Sequence, residues 1–289
     1  MEKRLSEFFS PAEVRRDGSF VQLGHVDSTL PASAVYCDSI FYLRIANGNK
    51  HVTCVITSPD LAVEVHPGKG VVIVSQPRNA FYRMHEAVMC RDYSAVNATS
   101  PIHESAIISP QAQIGKDVTI AERVVIGNDV IIGDGVFIDA GAIVGAEGLL
   151  YREEDGTRHR VRHHGSVRIG RNVTILANAV IARAIYPGTA TLIGDHAIVG
   201  IATTIGHEAT LGRNCVISGN CVIARRAHIG EHAWIGSCSM VREYVKVGAH
   251  ASVKAGSVVI ERVPDHAEVS GNFAIPHRRR MLDFAKDGK

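Results

Sequence analysis

From Ile102 to Val259 the chain places an isoleucine, valine or leucine at nearly every sixth position, and this period leaves few folds open. The register runs Ile102, Ile108, Ile114, Ile120, Ile126, Ile132, Ile138 and Val144, resumes at Ile169, and continues to Val259 with Pro187 as its one further break. Four residues after each of these sits a small or β-branched residue, such as Val118, Ala179, Cys215, Cys221, Ala233 and Ala251. A helix repeats near 3.6 residues and a strand at 2, so a sustained period of six calls for a short strand plus a turn, stacked as a solenoid. At three hexads per triangular coil the register spells about eight coils, with parallel neighbours about 4.8 Å apart. The expectation is a mainly β chain, a parallel β-helix of hexapeptide repeats.

Residues 1 to about 100 lack the register and read as a small α/β domain, with strand-like and helix-like segments at 39–45, 51–57 and 70–75 and a helix over 77–89. The solenoid is expected over 101–264, and 265–289 as a tail with a short helix from Pro276 to about Ala285. Between Gly145 and about residue 168 the register stops in a charged, Gly-containing stretch, read as a loop leaving the prism and a candidate for substrate contact.

No run of about eighteen apolar residues exists, and Met1 to Glu7 lacks a signal peptide's apolar stretch, so the expectation is a cytoplasmic chain without a membrane span. A net charge of +2 argues for no nucleic-acid partner, although His277 to Arg280 is locally basic. The six cysteines form no CxxC pair and are read as packed free thiols.

The chain has fifteen histidines, which invites a metal reading. His196, His232 and His250 share one phase of the hexad with Asn214, but the same phase holds Asp117, Asp129, Gly135, Asn172 and Asn178, residues that tolerate a left-handed turn. Turn geometry is the preferred account, and no metal site is expected. A zinc-dependent hydratase of the γ-carbonic anhydrase kind is the metal alternative; His159 and His164 have an HxxxxH spacing only inside the inserted stretch. His207 differs. It occupies the third hexad position after Ile205, where the side chain should point outward as neither core nor turn, and an exposed imidazole on a rigid wall is a fair general base.

The stretch Gly145 to Tyr151, the interruption, and the return at Val167 to Val173 resemble UDP-3-O-acylglucosamine N-acyltransferases of lipid A synthesis, as do Asp38 to Phe41, Cys54 to Pro59 and Val72 to Met84. The resemblance implies a left-handed β-helix behind a nucleotide-binding domain, and a homotrimer with active sites between subunits. It places the catalytic base on His207, the uracil-stacking aromatic on Phe41, and Asn47 where a second aromatic is usual. Arg225, eighteen residues after His207, stands where those enzymes carry glycine, beside backbone N–H groups expected to hold the oxyanion. The expected substrate contacts are completed by Glu147, Gly148 and Tyr151 in the inserted stretch and by Asn220.

The last coils, Ile205 to Gly212 and Val258 to Asn272, resemble hexapeptide acetyltransferases of nucleotide-linked amino sugars, where His followed by Glu, here His207 and Glu208, is the base motif. This resemblance implies a donor contact at Asn272, and by their charge Arg242, Lys246, Lys254 and Arg278 are the cations expected to meet coenzyme A phosphates or an acyl carrier protein. The reading is an N-acyltransferase acting on a nucleotide-linked amino sugar, with acyl-CoA preferred over the phosphopantetheine of acyl carrier protein as donor and no tightly bound cofactor. The lipid A enzyme using acyl carrier protein is the alternative. A non-catalytic solenoid scaffold is the alternative from another class.

Overall fold

The computed structural model describes residues 2–89 and 101–271. The linker around residue 97, the terminal helix, Asn272 and Arg278 lie outside the described residues. The chain divides into two units, Met1–Asn97 and Ala98–Lys289.

The first unit is built on a five-stranded sheet in the order Val14–Arg16, Gly70–Ile73, Val52–Thr57, Ser33–Cys37, Gln22–Leu23. Its first pair is antiparallel and the others are parallel. Alternate strand residues face opposite sides, so the sheet is apolar on both faces. Ala34, Cys54, Ile56 and Val72 pack with Ala80, Phe81, Met84 and Val88 of helix α2 (Pro77–Met89). Val35, Val55 and Val71 pack with Leu43 and Ala46 of helix α1 (Ile40–Gly48). Helix α1 starts where it does because the Ser39 hydroxyl accepts a hydrogen bond from the Tyr42 N–H.

The second unit is a left-handed parallel β-helix. Wall 1 has 8 strands from Ile107–Ile108 to Val258–Val259, wall 2 has 7 from Gln113–Ile114 to Lys246–Val247, and wall 3 has 8 from Thr119–Ile120 to Glu268–Val269. The hexad isoleucines and valines and the small residues four later fill one core, with Ile205, Ile217, Cys215 and Ala179 all at 0% exposure. Burial pushes the Cys215 thiol up to about 12, which fits a packed apolar role. All five described cysteines are free thiols.

In the regular coils from Ile114 to Val253 the residue three after the hexad isoleucine, valine or leucine takes a left-handed backbone, at φ 54° for Asp117, 53° for Asn172 and 56° for Asn220, except at the two breaks. That conformation aims its N–H at the coil before, as in His250 N to Glu231 O at 2.8 Å and Asn220 N to Ile201 O at 2.8 Å, so the ladder continues around the corners. The requirement comes from the coil, because Arg123, Ala202, Arg226, Cys238 and Tyr244 adopt it as well. The histidine phase is such a column, between walls 2 and 3, with φ 59°, 55° and 56° at His196, His232 and His250. His266 joins its lower end, and the rings of His232, His250 and His266 stack at 4.8 and 4.9 Å. Among the described residues no three His, Cys, Asp or Glu gather as metal ligands would, and no helix is long and apolar enough to cross a membrane.

The inserted stretch is ordered rather than a bare loop. Ile143–Ala146 still pairs with Val180–Ala182 in wall 1, and Ser166–Ile169 is already a strand of wall 2. Between them Tyr151–Glu154 and Thr157–Arg160 form an antiparallel hairpin. Its turn is Asp155-Gly156 at φ 49° and 72°, the pair that a tight hairpin turn favours.

Candidate functional site

Both breaks in the hexad register fall at one corner of the prism, between walls 1 and 2. The segments 147–165 and 183–189 each bulge out where neighbouring coils make a short turn. The next coil passes that corner between Thr204–Ile205 and Thr210–Leu211, carrying His207 and Glu208. The two bulges are tied together. His164 N donates to Ile185 O at 2.7 Å, Gly165 N to Ala184 O at 2.9 Å and Ser166 N to Thr189 O at 2.9 Å. Arg183 clamps the base of the inserted segment: its Nε and Nη2 donate to Gly165 O at 2.9 and 2.7 Å, and Nη2 also reaches Asp129 Oδ2 at 2.9 Å.

His207 is not the exposed imidazole its hexad position suggests. It points out of the wall, but the inserted segment lies over it and leaves it 4% exposed. Gly148 sits against the ring: a Cβ at 148 would lie 3.1 Å from His207 Cδ2 and 3.4 Å from His163 Nε2. The His163 ring, 2% exposed, meets His207 edge-on at 5.4 Å between centroids. Burial, then the neighbouring His163, push the His207 pKa below its ordinary value; Glu208 pulls it up, and Arg225 and Arg226 add to the lowering. The result is a neutral imidazole, able to accept a proton, at neutral pH.

Glu208 adjoins His207 without hydrogen-bonding it, its Oε2 lying 3.7 Å from Nδ1. The carboxylate is held by the Arg226 guanidinium, and Thr189 Oγ1 lies 3.3 Å from Oε1. Burial raises its pKa, but the Arg226 hydrogen bond and charge, with His207, outweigh this and leave it lowered, so it stays ionised. Glu208 also fills the left-handed turn position at φ 60°, where its N–H finds the Thr191 hydroxyl at 2.8 Å instead of a backbone carbonyl of the coil before. Thr191 Oγ1 in turn donates to Ala182 O at 2.7 Å, so one buried hydroxyl joins three coil segments. Arg225 lies one coil beyond His207, its backbone N–H donating to no group among the described residues, and its guanidinium sits 5.3 Å over the Tyr244 ring.

The other residues singled out from the sequence separate by corner. Arg242 lies two coils beyond His207 at the same corner, and with Lys246 and Arg262 it lines a shallow depression of about 250 Å³. Asn220 and Lys254 do not join this site. Both belong to the corner between walls 3 and 1, because their hexads follow wall 3 strands, and Lys254 pairs with Glu268 at 3.0 Å. In the inserted segment Glu147 faces Arg160 of the hairpin at 3.6 Å, and Tyr151 is exposed beneath the Arg158 guanidinium at 5.1 Å.

In the first unit Phe41 is 65% exposed on α1, edge-on to Tyr42. Asn47 serves the scaffold: its amide donates to Glu64 O at 2.8 Å and accepts from His66 N at 2.9 Å, which ties α1 to the segment after Val52–Thr57. A cavity of about 500 Å³ beside α1 is lined by Tyr36, Tyr42, Asp27, Asp38 and His25, of which the sequence had marked only Asp38, at the start of the resemblance stretch to Phe41. His163, Arg183 and Thr191 were missed as well. The hexad break at Pro187 was the available signal for the corner, and Asp155-Gly156 for the hairpin.

Residues 111–146 match the family model described as bacterial transferase hexapeptide, six repeats. No curated protein matches the chain. Among solved structures, a UDP-N-acetylglucosamine acyltransferase of Bacteroides fragilis is similar over 62% of this chain and 77% of its own, at 24% identity and a TM-score of 0.49. The UDP-N-acetylglucosamine O-acyltransferase of Moraxella catarrhalis is 26% identical over 60% of this chain and 72% of its own, with a TM-score of 0.45. Perosamine N-acetyltransferase of Caulobacter crescentus, solved with coenzyme A and GDP-perosamine, is 19% identical over 76% of this chain and 67% of its own, with a TM-score of 0.28.

Proposed function

We propose that this protein is an N-acyltransferase that moves an acyl group from a thioester, acyl-CoA in preference to acyl carrier protein, to the amine of a nucleotide-linked amino sugar. The observation that carries the reading is the covered, neutral imidazole of His207 beside an ionised Glu208, at the corner where the repeat is interrupted. A regular coil needs neither feature. As the amine nitrogen attacks the thioester carbonyl, His207 takes its proton; as the carbon–sulfur bond breaks, the thiolate leaves and recovers one. Glu208 stabilises the imidazolium formed between those steps. The Arg225 N–H, with no partner among the described residues, is suited to the developing oxyanion. Arg242, Lys246 and Arg262, partly offset by Glu243 and Glu261 in the same lining, supply positive charge for donor phosphates along the same corner.

The nucleotide is assigned to the first unit. Its cavity offers two tyrosine rings for a base and two carboxylates for base or ribose donors, a lining that suits a nucleoside better than a bare diphosphate. A trimer completes the reading, and the outward residues of wall 1 favour a second copy, with Ile107, Val222 and Val258 exposed at 67%, 43% and 56%. The test is a thermal-shift panel of UDP-, dTDP- and GDP-linked amino sugars with acetyl-CoA, longer acyl-CoAs and acyl carrier protein. A shift with one nucleotide sugar and one donor is expected; stabilisation by none of the nucleotides would overturn the assignment.

A further inference from the structure

The geometry points to His163 as an acceptor-binding residue, whose ring hydrogen-bonds a hydroxyl of the amino sugar next to the reacting amine. This rests on the acyl-transfer reading of the same site. His163 is 2% exposed, and among the described residues neither of its ring nitrogens has a hydrogen-bond partner; Nδ1 of His207 is likewise buried and without one. Three orphaned nitrogens on two rings 5.4 Å apart form a concentration of unmet polar demand in a chain whose other described buried side-chain polar atoms are satisfied. Buried polar groups are normally partnered, so such a cluster is expected to meet its partners in a bound ligand. If His163 served only to cover His207, an apolar ring would do so without that penalty.

The position is built rather than incidental. The backbone on one side of His163 is fixed by His164 N to Ile185 O and Gly165 N to Ala184 O, and Val161 N to Leu150 O at 2.9 Å fixes the other. Opposite the rings stands Gly148, where a Cβ would crowd His207 Cδ2 at 3.1 Å and touch His163 Nε2 at 3.4 Å. The ligand chemistry follows from the ring. The two ring nitrogens suit a group that both donates and accepts, as a sugar hydroxyl does, whereas beside the reacting carbon the acyl donor offers only a thioester carbonyl, which accepts, and a thioester sulfur, which barely does so. The partner of His163 is therefore on the acceptor sugar rather than the acyl donor. It reaches the site on the inserted segment, while the base sits on the prism, so the two imidazoles close on the substrate from different parts of the fold.

The test measures steady-state kinetics with the nucleotide amino sugar found in the panel and its acyl-CoA, for wild type, His163→Phe and His163→Asn. The expected result is a KM for the amino sugar raised at least tenfold in His163→Phe, with the donor KM within twofold of wild type and partial recovery in His163→Asn, which keeps a donor and an acceptor. Circular dichroism melting of each variant accompanies the kinetics, and His163→Asn decides the matter if His163→Phe does not fold. An amino-sugar KM within twofold of wild type, or a rise in the donor KM alone, would overturn the role of His163 and leave the acyl-transfer reading standing. Wild type inactive with every amino sugar would overturn that reading and this role with it.

Discussion

His207 and Glu208 are neighbours in the chain, yet Glu208 Oε2 stops 3.7 Å short of His207 Nδ1 and is held instead by Arg226. The carboxylate is thus poised beside the imidazole without sharing its proton. Glu208→Gln removes the charge that favours protonated His207 and frees Arg226. The expected outcome is a kcat/KM about tenfold lower, roughly 1.4 kcal/mol of transition-state stabilisation, with the acid limb of its pH profile moved to lower pH. A wild-type profile in this variant would mean that Glu208 only anchors the turn.

The same environment sets the pH dependence. Burial and His163 hold His207 below its ordinary value, near 6.5 when unperturbed, so the base remains neutral into mildly acidic solution. The acid limb of kcat/KM should have its midpoint below about 6.5. Linkage gives stability the matching sign: the unfolded chain binds the proton more readily than the folded one. The contribution of this group is present above about 6.5 and is lost as pH falls toward the lowered folded value. Urea midpoints from pH 5 to 7.5 should fall more steeply toward acid in wild type than in His207→Ala.

Gly148 lies against the His207 ring, which leaves little room for a side chain. Gly148→Ala places a Cβ 3.1 Å from His207 Cδ2, tight enough to displace the imidazole by a few tenths of an ångström. A fall in kcat/KM of about tenfold is expected with little change in melting temperature, since catalytic geometry is more sensitive than the coil. Unchanged kinetics would show that the inserted segment moves aside freely.

Arg183 is mostly buried, and its bonds to Gly165 and Asp129 fasten the inserted segment to the prism. Arg183→Met keeps the apolar stem and removes charge-assisted hydrogen bonds worth about 1.5–3 kcal/mol each. Hydrogen exchange should rise over residues 147–165 and stay near wild type in the coils after Thr210. Uniform loss of protection would assign Arg183 to the stability of the whole prism.

Much of the architecture was legible because the repeat states it directly. Ile205 and Cys215 announce their inward positions, and Asn220 and His250 their turns, through a period that only a triangular coil satisfies. The site was legible as a place rather than as an environment. The sequence puts His207 outside a wall but does not say that residues over forty positions earlier return to cover it, because that contact depends on the pairing of 164–166 with 184–189. The local sequence of neither bulge encodes this. Asn220 and Lys254 stand at a different corner of the same chain, because the prism sends successive hexads to three different corners that a one-dimensional period does not distinguish. Asn47 has the opposite lesson, since a polar residue on a helix facing a loop is committed to that loop before any ligand arrives.

The most direct test of the account is the turnover of His207→Ala, measured with the nucleotide amino sugar and acyl-CoA that wild type uses. A folded variant with kcat lowered by about 10²–10⁴ is the predicted result, the range a positioned general base contributes. Turnover within threefold of wild type would contradict the central claim.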